Sequence, residues 1–155
     1  MADTYTQFYI HLVMAVRNRE SLLVDKHRSE IFKYMSGIIT NMGHKSIIIN
    51  GMPDHVHVLF GLHPARAISD LVREFKKSSS SFINNKNFLR GRFYWQEGYG
   101  GFSYSRSQLN EIYNYILNQQ EHHKKFDFKT EYLKLLEEFE IDYKPEYLFD
   151  FNIIK

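Results

Sequence analysis

Residues 7–16 alternate cleanly: Phe8, Ile10, Leu12, Met14 and Val16 fall on one face, and Gln7, Tyr9, His11, Val13 and Ala15 on the other. A period of two predicts a half-buried strand. The period then lengthens. Asp25 can cap a helix in which Ile31, Tyr34, Met35, Ile38, Ile39 and Met42 recur at helical intervals until Gly43 stops it. Residues 45–50 and 55–62 predict two more strands, joined as a hairpin through Gly51-Met52-Pro53-Asp54. Ser69 can cap a second helix whose stripe of Leu71, Val72, Phe75, Phe82 and Ile83 runs on through Ser78–Ser81. Residues 93–96 and 102–104 look extended, separated by Gly98-Tyr99-Gly100-Gly101, a run flexible enough for a hinge. Ser105 or Ser107 caps a third helix reaching His123, with Leu109, Ile112, Tyr113, Ile116 and Leu117 as its buried stripe. A last helix over residues 129–139 buries Tyr132, Leu133, Leu136 and Phe139.

The order β-α-β-β-α-β followed by further helices is that of an α+β, ferredoxin-like split β-α-β antiparallel sheet. Two helices cover the even-numbered faces of the strands. His11, His55 and His57 are expected on the opposite, open face. The 155 residues form one domain, with a core over residues 5–123 and a C-terminal helix and acidic tail over residues 124–155.

Composition narrows the chemistry. Without cysteine there is no disulfide framework, thiol nucleophile or thiolate metal site, so any metal depends on His, carboxylate, amide or water. The apolar stretch from Phe8 to Val16 is interrupted by His11 and closed by Arg17 and Arg19, well short of the roughly 20 residues of a membrane span. No secretory pattern is present either, and a soluble cytoplasmic protein is expected. Net charge is only +2, yet it is unevenly spread. Between residues 66 and 92, Arg66, Arg73, Lys76, Lys77, Lys86, Arg90 and Arg92 face only Asp70 and Glu74. From residue 126 onward, acidic residues, Glu131 among them, outnumber basic ones by eight to four. Phe75, Phe82, Phe88, Phe93, Tyr94 and Trp95 lie within or beside the basic stretch, a mixture suited to phosphate contact and base stacking. A solvated helix face followed by core aromatics accounts for the same pattern.

The most informative segment is Asp54-His55-Val56-His57-Val58. In a strand His55 and His57 point the same way, with Cα atoms roughly 6.5–7 Å apart, while Val56, Val58 and Phe60 take the core face. Two neutral imidazoles in that arrangement can grip one divalent ion. Histidines on a solvated sheet face have the same spacing, so a second half of the site is needed. On the third helix Tyr115 and Gln119 lie about 40° apart at the edge of the apolar stripe, so a hydroxyl and an amide oxygen can face a common point. Gln120 points some 100° away from Gln119, toward that stripe, and Tyr113 belongs to it.

Three segments in order carry a resemblance: Gly51-Met52-Pro53-Asp54-His55-Val56-His57, then Trp95-Gln96-Glu97-Gly98-Tyr99-Gly100-Gly101-Phe102-Ser103, then Tyr115-Ile116-Leu117-Asn118-Gln119-Gln120-Glu121-His122-His123. Together they resemble the HUH-type single-tyrosine transposases of IS200-like insertion sequences. The resemblance implies that His55, His57 and Gln119 bind Mg2+ or Mn2+ and that Tyr115 attacks a phosphorus of single-stranded DNA, leaving a 5′-phosphotyrosine and a free 3′-hydroxyl. It implies excision and integration of an insertion sequence, recognition of DNA hairpins at the element ends, and a homodimer whose sites can be composite. The site of action would be the bacterial cytoplasm, at the nucleoid. Phosphate contacts are expected from Arg66, Arg73, Lys76, Lys77, Arg90 and Arg92. Two alternatives stand beside it: a domesticated nuclease cutting at genomic repeats, and a noncatalytic DNA-hairpin binder. A water-using phosphodiesterase is a third, distinguished by forming no covalent adduct.

Overall fold

A computed structural model describes residues 3–18 and 21–151 of the chain. Residues 152–155 of the predicted tail lie outside the described residues, as do residues 1–2 and 19–20. The elements are β1 (Tyr9–Ala15), α1 (Asp25–Asn41), β2 (Lys45–Met52), β3 (His55–Gly61), α2 (Ile68–Asn85), β4 (Gly100–Tyr104), α3 (Leu109–Leu117), α4 (Gln119–His122) and α5 (Phe128–Glu138). The four strands lie in the order β2-β3-β1-β4 with every neighbouring pair antiparallel. β1 and β2 are thus parallel with β3 between them, the split β-α-β arrangement.

Alternation in β1 and β3 divides the sheet into two faces. The even face carries Leu12, Met14, Val56, Val58 and Phe60 against Ile31, Met35 and Ile39 of α1 and Leu71, Phe75 and Ile83 of α2. Most of the stripe expected of each of the first two helices is in this core, but Tyr34 is 40% exposed and stacks on Phe82 outside it, and neither helix is capped as the sequence suggests. Asp25 is the first residue of α1 rather than its cap, and α2 begins at Ile68 after Ala67, ahead of Ser69. Phe93 and Trp95 complete this core, and Trp95 Nε1 donates to the buried Ser79 Oγ at 3.0 Å, which explains a serine inside an apolar helix face.

The second face is not open. Against Val13, Ala15 and Phe102 pack Phe128, Tyr132, Leu135 and Leu136 of α5 together with Phe149, and against Leu59 pack Ile112 and Ile116 of α3. Each buried side chain of this size contributes about 1.5–3 kcal/mol, so the C-terminal helix is part of the fold rather than an appendage. Its stripe is Phe128, Glu131, Tyr132, Leu135 and Leu136. That is a rotation of the one expected from the sequence, which included Leu133 and Phe139 and omitted Leu135. Asp127 caps the helix by accepting from the Thr130 amide at 2.9 Å.

Two glycines are explained by close approach. A Cβ on Gly51 would lie 2.3 Å from the carbonyl oxygen of His55, so the β2–β3 turn closes tightly over Pro53 and Asp54 alone. A Cβ on Gly100 would lie 2.7 Å from the ring and the hydroxyl of Tyr132. Gly100 and Gly101 are therefore not a hinge: they are strand residues paired with Val13 and Leu12, and Gly100 leaves room for α5. Replacing Gly100 with alanine should lower stability by about 1–3 kcal/mol, read as a reduced midpoint in urea denaturation; an unchanged midpoint would show that α5 is not seated against β4.

Candidate metal centre and nucleophile

Register builds the site. His57 pairs with Val13 on one side and Asn50 on the other, and His55 pairs with Ala15 and Met52. Both imidazoles thus enter the layer between the sheet and the C-terminal helices, where His11, His55 and His57 are completely buried. Asn50 anchors the helix above them. Its Nδ2 donates to the carbonyl oxygens of Ile116 and Leu117 at 2.9 and 3.1 Å, satisfying the end of α3. The single helix expected up to His123 is broken there at Asn118, and α4 starts at Gln119. Gln120 is committed to this anchor, its Nε2 donating to Asn50 Oδ1 and to the carbonyl of Gly51, both at 3.2 Å.

The break aims Gln119 inward, fully buried, with Oε1 3.2 Å from His55 Nε2. Glu131 of α5, 2% exposed, occupies the centre of the cluster. Its Oε1 lies 3.0 Å from His57 Nε2 and 3.2 Å from the Nε2 atoms of both His55 and His123. Its Oε2 accepts from Gln119 Nε2 at 2.8 Å and from the hydroxyl of Tyr115. The Tyr115 ring stands edge-on to His57 with centroids 6.1 Å apart and stacks on His122 at 4.7 Å. Tyr115, Gln119 and the histidine pair are therefore brought together within one chain. Sequence reasoning missed Glu131 and His123. The signal for Glu131 was an acidic residue inside an apolar stripe, hidden when it was counted with the charges of the tail.

The outer nitrogens are also held. His55 Nδ1 lies 2.7 Å from Asp54 Oδ1, and His57 Nδ1 lies 2.7 Å from His11 Nε2. With Nδ1 engaged outward in each case, both Nε2 atoms face the cluster, and each offers a lone pair to a cation once it gives up the proton it shares with Glu131. Burial alone would pull His55 down, but hydrogen bonds to Asp54 and Glu131 outweigh it and raise its pKa to about 9. His57 is lowered, chiefly by burial, as is His11. Burial pushes the Glu131 carboxyl upward, yet His57, His123 and His55 outweigh that and hold it well below the usual carboxylate range. Burial and the neighbouring Glu131 raise Tyr115, so its phenol stays protonated at neutral pH.

The donor set fits a divalent cation. One ligand atom each from His55, His57 and Glu131 lie within 4.8 Å of one another. Adjacent ligands around a small ion with bonds of about 2.1 Å are about 3.0 Å apart, close to the 3.0 and 3.2 Å spacings seen here. Imidazole nitrogen with amide and carboxylate oxygen is a donor set for a divalent ion and holds none of the thiolates that select soft ions.

Comparison with known proteins decides the family. Residues 4–119 match the family model described as "Transposase IS200 like". The chain belongs to the IS200-like transposase family. This transposase is 28% identical over 120 residues to the ISDra2 transposase TnpA of Deinococcus radiodurans, covering 74% of its own length and 86% of the relative's. A crystal structure of a Deinococcus radiodurans R1 protein assigned as a transposase superposes with a TM-score of 0.59 at 26% identity, covering 77% of this chain and 95% of that one. The REP-associated tyrosine transposase bound to a REP hairpin shares the fold, with a TM-score of 0.57 at 17% identity over 79% of this chain and 74% of that one. His55, His57, Tyr115 and Gln119 lie inside the family match, whereas His123 and Glu131 lie beyond its end.

Access to the cluster runs between α3 and α5, where a cavity of about 600 Å3 is lined by Tyr104, Ile112, Tyr115, Glu131, Lys134 and Phe139, among others. Two assignments on α3 need correction. Tyr113 is 38% exposed and Leu117 50% exposed, so neither is core; the break at Asn118 and the anchor on Asn50 turn Ile112, Ile116 and Gln119 inward instead. The basic stretch lies elsewhere. α2 covers the even face, opposite the histidines. Lys76 is a structural donor to the carbonyls of Gln96 and Gly98 at 2.8 and 2.7 Å, and Arg73 pairs with Asp70 at 2.7 Å. Arg66, Lys77, Arg90 and Arg92 are exposed. Of the aromatics there, Phe75, Phe93 and Trp95 are in the core while Tyr94 is 41% exposed with Arg17 over its ring.

Because Asp54 orients the His55 ring, Asp54→Ala should weaken Mn2+ binding by about 10–100-fold, measured by isothermal titration. Unchanged affinity would mean that the ring is held without it.

Proposed function

We propose that this transposase cuts and rejoins single-stranded DNA with Mg2+ or Mn2+, through a 5′-phosphotyrosine on Tyr115, to excise and integrate an insertion sequence. The observation that supports this reading most directly is the convergence of the Tyr115 hydroxyl, the Gln119 amide and the two Nε2 atoms around one buried point. His55, His57 and Gln119 hold the cation. When bound, it polarises a non-bridging phosphate oxygen and stabilises the leaving oxygen. Tyr115 Oη forms the new bond to phosphorus as the bond to the 3′ oxygen breaks. The phenol gives up one proton and the 3′ oxygen gains one. One phosphodiester replaces another, so a later attack by a 3′-hydroxyl rejoins strands without a nucleotide cofactor.

Burial and Glu131 raise Tyr115, so the phenol must give up its proton for attack to proceed. Stacking on His122 and the hydrogen bond to Glu131 fix the direction of its oxygen, so little orientation is left to be lost during attack. The substrate is single-stranded DNA carrying a hairpin at the element ends, bound by a homodimer in the bacterial cytoplasm, at the nucleoid; among the described residues no helix is long and apolar enough to cross a membrane. The relative bound to a REP hairpin favours a hairpin partner and keeps one second reading, a domesticated enzyme doing the same chemistry at dispersed repeats. The DNA flanking the gene separates the two.

Incubation with labelled single-stranded DNA and Mn2+ should give a denaturation-resistant protein–DNA species. Tyr115→Phe should abolish it, and Tyr113→Phe, altering an exposed ring on the same helix, should retain it; an adduct persisting in Tyr115→Phe would overturn the nucleophile assignment. DNA binding itself should weaken with salt. Replacing Arg66, Arg90 and Arg92 with glutamine should reduce the slope of log affinity against log salt by about one for each phosphate no longer neutralised, and an unchanged slope would remove these residues from the DNA surface.

A further inference from the structure

We propose that Glu131 is itself a ligand of the divalent cation and joins that cation to the nucleophile, with Oε1 on the ion and Oε2 on the Tyr115 hydroxyl. The inference deepens the proposed function and rests on its reading of His55 and His57 as ligands. Glu131 is the one charged residue within the buried stripe of α5, flanked there by Phe128, Tyr132 and Leu135. Burying a carboxylate is expensive unless every lone pair is met, and here both oxygens are met by the residues assigned to the reaction. Oε1 is 3.0 Å from His57 Nε2 and 3.2 Å from His55 Nε2, while Oε2 takes the hydrogen bonds of Gln119 and Tyr115.

The chemistry agrees with the placement. Two imidazoles and an amide are neutral donors and leave both charges of the ion uncompensated in a buried site. One carboxylate halves that charge and adds the hard oxygen donor that Mg2+ and Mn2+ prefer. The carboxylate is also held rigidly, because α5 is fixed by Phe128, Tyr132, Leu135 and Leu136 and by the contact of Tyr132 with Gly100. Four ligands, His55, His57, Gln119 and Glu131, then come from one chain, and the Tyr115 they face is that chain's own.

The test is Mn2+ binding by the full-length protein, followed by electron paramagnetic resonance of the free ion and by water-proton relaxivity of the bound ion. Glu131→Ala should weaken binding by about tenfold or more and raise the relaxivity of each bound ion, because an inner-sphere water takes the place of the carboxylate. Glu131→Gln, of nearly the same volume, should weaken binding less, and it carries the test if the alanine variant fails to fold by circular dichroism. Wild-type affinity and relaxivity in both variants would overturn the proposal, and if His57→Ala abolished binding in the same series the histidine reading would survive. Weakened affinity with unchanged relaxivity would also overturn it, since Glu131 would then act only by positioning the imidazoles. A wild-type protein that binds no Mn2+ would remove the metal reading and this inference together.

Discussion

A carboxylate taken out of water costs several kcal/mol unless its oxygens are met by donors or a cation, and the second face of this sheet is arranged so that Glu131 is met by both an imidazole group and a phenol–amide group. The same requirement explains why the surroundings are apolar. α3 covers the face around Leu59, α5 covers it around Val13, Ala15 and Phe102, and the polar cluster lies between the two patches. Neither helix alone would enclose it. The electrostatics follow from this enclosure: burial opposes the charged forms, yet His55 rises and Glu131 falls because their partners outweigh it, whereas for Tyr115 burial and Glu131 act in the same upward direction.

The strands were legible in the sequence because alternation is a local signal and β1 and β3 display it without interruption. His55 and His57 were legible for the same reason, since a period of two determines which way both rings point. The third helix was harder. Its apolar residues suggest a continuous stripe through Tyr113 and Leu117, but the position of the break is set by Asn50, a residue nearly seventy positions away in the chain and on a different strand. Such a contact leaves no periodic trace. Glu131 was invisible for a related reason: in a row of tail acids one buried carboxylate resembles its exposed neighbours until its partners on β3 and α3 are known. Gly100 belongs in the same group, its purpose set by a Tyr132 ring that the sequence places thirty-two residues later.

Charge is unevenly distributed around the site. Lys77 is on α2, which covers the face opposite the histidines, and Arg66, Arg90 and Arg92 are exposed in the segments before and after that helix, whereas Glu111 and Glu138 line the cavity beside Tyr115. Lys134 is the cation on the cavity wall itself.

The segment shared with the family ends at Gln119, but the wall that encloses the site does not. In this chain the chamber is closed by α5 and by His123, both beyond that segment. Swapping α5 would alter the charge, wetness and rigidity of the chamber without touching a single signature residue. The polarity of the chamber is therefore decided in part by residues that lie outside the stretch defining the family.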